Sequence, residues 1–123
     1  MTSEADIQAD ILTACNQGDS RLLRNNCGVL QDRDGRYVRY GVGNPGGCDL
    51  IGWQMVTITP AMVGQRVAVF AAIEVKAPCE QPSADQLRFI ATVNRMGGRA
   101  GVARSVAEAK RLLTNGNDGV TVI

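Results

Sequence analysis

The chain opens on Ser3-Glu4-Ala5-Asp6, a capping box that starts a helix, and Ile7, Ile11, Leu12 and Cys15 then form one apolar stripe before Gly18 stops it. Glu4 and Gln8, four residues apart, lie side by side at the edge of that stripe. From Arg21 to Tyr40 the pattern changes to strands at Leu22-Leu23 and Val29-Leu30, turn residues Asp32-Arg33-Asp34-Gly35, and a further strand Arg36-Tyr37-Val38-Arg39-Tyr40. Residues 41 to 47 hold four glycines and a proline and must be loop. They lead into Cys48-Asp49-Leu50-Ile51-Gly52-Trp53, an apolar strand interrupted by one carboxylate, which Gln54 to Thr59 can extend. After a turn at Pro60 to Gln65, the unbroken apolar run Val67 to Ile73 reads as a central strand buried on both faces, ending in Glu74-Val75-Lys76. Ser83-Ala84-Asp85-Gln86 is a second capping box, followed by a helix stripe of Leu87, Ile90, Val93 and Met96 and closed by Gly97-Gly98. Ala100 to Ala103 is a short strand, and Ser105 to Glu108 opens a third helix that runs through Leu113 to a cap at Asn115-Gly116. The expected fold is α/β, a mixed sheet flanked by helices in the order α-β-β-β-α-β-α.

With 123 residues, 45% hydrophobic and 20% charged, the chain has material for one core, and a single domain over 1–123 is expected. It has no apolar run long enough to span a membrane and no signal-peptide pattern, so the expected location is the cytoplasm of a bacterial or phage-infected host cell. Histidine is absent, so triads built on histidine are excluded and the commonest transition-metal ligand is missing. The four cysteines, at 15, 27, 48 and 79, form no CxxC pair and read as reduced, mostly buried thiols. Net charge is only +1, yet residues 21 to 39 carry Arg21, Arg24, Arg33, Arg36 and Arg39 against two acids. Arginine's planar fork suits phosphate, although a solvated charged face accounts for the same residues.

Two strands of buried type each carry an acid where an apolar residue would be expected: Asp49 and Glu74. An uncompensated charge near a sheet interior costs several kcal/mol, so a cation is expected beside them unless the strands end earlier. Alternation sends Glu74 and Lys76 to one face and Val75 to the other. Two carboxylates and the Val75 carbonyl are hard oxygen donors of the kind that hold Mg²⁺ or Mn²⁺, with Lys76 placed to orient an attacking water.

Gly46-x-x-Asp49, about two dozen residues ahead of Glu74-x-Lys76, on an order of helix, strands, helix, strand, resembles the PD-(D/E)xK nuclease superfamily. Within it the chain is similar to stand-alone VRR-NUC domains of the phage and bacterial type. The likeness also rests on Ser3-Glu4 with Ile7-Gln8, Arg24-Asn25-Asn26 with Gly28, Gly46 to Gly52, Ile73 to Lys76, and Gln86 with Phe89-Ile90. The superfamily's proline-aspartate pair is missing, since Asp49 follows Cys48 and Pro45 lies earlier in the loop.

The resemblance implies a metal-dependent endonuclease acting on branched DNA, like a Holliday junction resolvase, in DNA repair and as a homodimer. It makes Asp49 and Glu74 metal ligands with the Val75 carbonyl, Lys76 the water-orienting amine, Glu4 the acid that completes the cluster, and Gln86 a polar group in the site. Arg21, Arg24, Asn26, Arg36 and Arg39 are the expected DNA contacts. Each residue has a plainer reading. An acid in a first turn is favoured by the helix dipole, Gln86 completes a capping box, Asp49 can cap the glycine loop, Glu74 can sit in a structural ion pair, and Lys76 can be a solvated strand end. Trp53, Tyr37 and Tyr40 read as packing or edge residues, with base stacking as the other option. Competing functions are a module that binds branched nucleic acid without cutting it, and a restriction-type enzyme with sequence preference.

Overall fold

The computed structural model describes residues 2–115 and divides into two compact units, Met1–Val56 and Thr57–Ile123. In the first, α1 (Glu4–Cys15) begins at the expected capping box: Ser3 Oγ accepts from the Asp6 N–H at 3.1 Å and the Asp6 carboxylate accepts from the Ser3 N–H at 3.4 Å. α1 packs on β1 (Ser20–Arg24), which pairs antiparallel with β4 (Leu50–Gln54) in the register Arg24↔Leu50 to Ser20↔Gln54. Between them in the chain, β2 (Gly28–Gln31) and β3 (Tyr37–Tyr40) form an antiparallel hairpin. Its turn is held by Asp32 Oδ1, which accepts from the N–H groups of Asp34 at 2.9 Å and Arg36 at 2.8 Å.

The second unit is a β-α-β crossover followed by a helix. β5 (Ala71–Val75) pairs in parallel with β6 (Arg99–Ala103), and α2 (Ala84–Arg95) connects them. α3 (Val106–Asn115) packs back onto β6. Gly97, at φ 94, ends α2 in the left-handed conformation that a glycine adopts without strain. The core of this unit is Val93, Met96, Ala100 and Ala103. Asn94 ties helix to strand by donating to the Ala100 carbonyl and accepting from the Ala100 N–H, both at 2.9 Å.

The expected succession helix, three strands or more, helix, strand, helix is present, with five strands ahead of α2, and within each unit the strands pair as two-stranded ladders. Of the run Val67 to Ile73, only Ala71 to Ile73 enter a strand, β5, and none of the run is fully buried. β6 starts only after the Gly97-Gly98 turn and Arg99 N–H already reaches the Phe70 carbonyl, so β6 offers nothing upstream to pair with. Val67 and Val69 are accordingly exposed and outside any strand. Gln54 is the last residue of β4, and Met55 to Thr59 do not extend it.

Leu87 points to solvent instead of joining the α2 stripe, because Gln86, Ile90 and Val93, spaced by four and three, define the packed face. On α1, Ile7, Ile11 and Cys15 are exposed while Gln8 and Leu12 are half-buried. All four cysteines are free, as expected, but exposed rather than buried. The third helix opens at Ser105, whose Oγ accepts from the Glu108 N–H at 3.2 Å. Gly116, expected in its cap, lies outside the described residues.

Candidate active site

Asp49 does not sit inside a strand. It is the residue before β4, at the exit of the glycine loop, and its side chain is exposed, so its charge needs no compensation from a sheet interior. What fixes it is backbone. The Asp49 carbonyl accepts from the Asn25 N–H at 2.8 Å, which prolongs the β1–β4 ladder by one bond. The Asn25 side chain is buried, and its Nδ2 donates to the carbonyls of Val42 at 2.9 Å and Cys48 at 3.0 Å while Oδ1 accepts from the Val42 N–H at 2.9 Å.

A pocket of about 830 Å³ opens beside this anchor, lined by Glu4, Gln8, Asn25, Asn26, Cys27, Tyr40 and Asp49 among others. The structure therefore brings Glu4 of α1 and Asp49 to the walls of one pocket, as the first-turn placement of Glu4 allows. Arg24 reaches Gln8 on the same side, its Nη1 donating to Oε1 at 3.4 Å.

In the second unit Glu74 and Lys76 lie on one face of the β5 end, as alternation requires, and form an ion pair with Nζ 3.5 Å from Oε1. Both side chains are partly shielded, 30% and 18% exposed, whereas Val75 between them is 73% exposed on the opposite face. Lys76 N–H donates to the Ala103 carbonyl at 3.2 Å, which anchors the strand end. Glu74 lines a second pocket, of about 360 Å³, with Ala72, Ile73, Asp85, Gln86, Phe89 and Ile90. Gln86 completes the capping box of α2, Oε1 accepting from the Ser83 N–H at 2.8 Å, and also faces Glu74's pocket. The two readings of Gln86 are thus compatible. Asp85, in the same pocket, pairs with Arg88.

The expected phosphate contacts divide. Arg21 folds back, its Nη1 donating to the carbonyls of Gly18 at 2.9 Å and Ser20 at 2.7 Å, and Arg24 is engaged with Gln8. Arg36 and Arg39 are exposed on the hairpin and make no side-chain hydrogen bond or ion pair among the described residues. Asn26 is exposed in the wall of the first pocket. Trp53 lies across the ladder from Arg21, Tyr37 is exposed at the hairpin end, and Tyr40 lines the pocket of Asp49.

Asn25 is the residue that reading the sequence did not single out for the site. Its signal was a carboxamide immediately after a strand, next to a second asparagine, but its partners are 17 to 23 residues away and leave no local trace.

Among the described residues no group of three or more acidic or thiol side chains stands close enough together to hold a metal ion. Within the first unit, the carboxylates of Glu4 and Asp49 on one pocket are hard oxygen donors of the kind that suit Mg²⁺ or Mn²⁺ rather than a thiophilic metal. Among the described residues no helix is long and apolar enough to cross a membrane. The family model described as VRR-NUC domain matches residues 7–107. No curated protein and no solved structure matches the chain significantly.

Proposed function

Because this chain belongs to the VRR-NUC domain family, nucleases of the PD-(D/E)xK type, we propose that it is a divalent-metal-dependent endonuclease that cuts branched DNA, such as four-way junctions, as a homodimer. The match over residues 7–107 carries this reading, since it takes in Asp49, Glu74, Lys76 and Gln86 together; Glu4 lies just ahead of it. Asp49 and Glu74, with the Val75 carbonyl, are the proposed metal donors, and Glu4 is a further acid on the pocket of Asp49. A divalent ion in such a site supplies hydroxide near neutral pH and neutralises charge on the scissile phosphate. Lys76, held by Glu74 and by its own N–H, donates a hydrogen bond that aims the attacking water. Gln86, with Oε1 engaged by Ser83, presents its amide nitrogen to the pocket of Glu74.

Selectivity for structure rather than sequence is part of this reading, because the candidate contacts on the hairpin are arginines suited to phosphate, and phosphate contacts carry no sequence information. A symmetric junction needs two cuts, which a twofold dimer supplies, and a dimer also pools two modest arginine surfaces on a chain of net charge +1. The test is incubation of the purified protein with Mg²⁺ or Mn²⁺ and with flaps, nicked duplex, four-way junction and linear duplex. Metal-dependent cutting of the branched substrates is expected. Shifted but uncut substrates would favour a binding module, and cutting that follows sequence across junctions of one geometry would favour a restriction-type enzyme.

Arg36 and Arg39, whose guanidinium groups have no protein partner among the described residues, are the strongest candidates for holding phosphate. Replacing both with alanine is expected to weaken DNA binding for all sequences alike and to lower the slope of log K against log salt by about 2, one for each phosphate left without its guanidinium. Fluorescence anisotropy across a salt series measures it; an unchanged slope would remove the hairpin from the interface.

A further inference from the structure

Asn25 is the one buried polar residue among the described residues, at 9% exposure, and its hydrogen bonds run to one loop. Nδ2 has two hydrogens and uses them on two carbonyls, Val42 and Cys48, at opposite ends of the glycine-rich segment. Oδ1 accepts from the Val42 N–H, and the Asn25 backbone N–H donates to the Asp49 carbonyl.

This segment is the part of the unit least able to hold its own shape. Gly41, Gly43 and Gly46 have positive φ, and most of its residues are exposed, so it gains little from packing and loses much backbone freedom on ordering. Asp49 follows directly, with an exposed side chain that no core packing locates. Gly47 fits the same device from the other side: a Cβ there would fall on the Val42 carbonyl and lie 3.2 Å from Asn25 Nδ2, so close approach of the two loop ends requires glycine.

We infer that Asn25 is a positioning residue for the cleavage reaction: its carboxamide latches both ends of the glycine loop to the end of β1 and thereby sets where the Asp49 carboxylate stands. The inference rests on the nuclease reading above and deepens it. Partners that orient a ligating carboxylate are commonly as consequential as some ligands, their removal costing about 10- to 100-fold in metal affinity or activity. The side-chain hydrogen bonds of the latch all end on the backbone of the loop, at Val42 and Cys48, so their loss falls first on the loop and on Asp49 behind it.

The experiment compares wild type, Asn25→Ala and Gly47→Ala in three readouts: thermal unfolding, Mn²⁺ binding followed by the EPR signal of free Mn²⁺, and steady-state cleavage of a branched substrate. Both variants are expected to bind Mn²⁺ about 10- to 100-fold more weakly and to lose kcat, with KM for DNA near the wild-type value because the hairpin arginines are untouched. A merely structural role would lower the unfolding temperature and leave the Mn²⁺ midpoint of the folded protein in place, which overturns the inference. Should Asn25→Ala not fold, Gly47→Ala decides, since it keeps the carboxamide and displaces only its partner. Wild type that cuts alongside folded variants that match it overturns the inference alone; wild type that neither binds Mn²⁺ nor cuts overturns the nuclease reading as well.

Discussion

Glu74→Ala is expected to lower the single-turnover rate of branched-DNA cleavage by about 10³-fold or more, the rate equivalent of removing several kcal/mol of transition-state stabilisation supplied through a metal ligand. Asp49→Asn does the same, since it removes the negative charge of a proposed ligand but keeps its shape. Folding is expected to survive in both. Asp49 is exposed and its anchoring is through backbone, which asparagine retains. Glu74 is half-buried, and its loss leaves Lys76, 18% exposed, without its carboxylate partner, so Glu74→Gln serves as the gentler control. Circular dichroism and thermal unfolding check integrity alongside the rate. Cleavage at the wild-type rate in either variant would remove that acid from the site.

Lys76→Ala separates water orientation from metal holding. A positioned proton donor or acceptor contributes about 10²- to 10⁴-fold, so turnover is expected to fall within that range. Metal affinity moves the other way or not at all. The ammonium 3.5 Å from Glu74 Oε1 competes with a cation for that carboxylate, and removing it cannot weaken the carboxylate as a ligand. A Mn²⁺ titration of the cleavage rate reads both quantities at once. Equal loss of turnover and metal affinity would contradict the role given to Lys76.

What could be read in the sequence was whatever its neighbours within a few residues determine. Both capping boxes form as written, because Ser3 with Asp6 and Ser83 with Gln86 need only one helical turn to meet. The hairpin at Asp32–Arg36 closes on local turn chemistry, and strand alternation alone puts Glu74 and Lys76 on one face. Partner choice was not legible. Val67 to Ile73 has the composition of a central strand, but a strand extends only as far as another backbone runs beside it, and β6 begins at Arg99. Leu87 belongs to the apolar count of α2 while Gln86 occupies the packed face, because the capping geometry fixes the phase of that helix. Asn25 shows the same limit most sharply: part of the Arg24-Asn25-Asn26 stretch in the family likeness but given no role there, it acquires one from Val42, Cys48 and Asp49, which the chain brings back only after the hairpin.

The central claim is that one hard dication is shared by the carboxylates of Asp49 and Glu74. Direct titration of Mn²⁺ into wild type, Asp49→Asn, Glu74→Ala and the double variant, without DNA, tests it independently of catalysis. Saturable binding in wild type, at least about tenfold weaker in each single variant and indistinguishable from background in the double, is the predicted result. A single variant that titrates like wild type would contradict the account, because an ion that ignores the loss of one acid is not held by both.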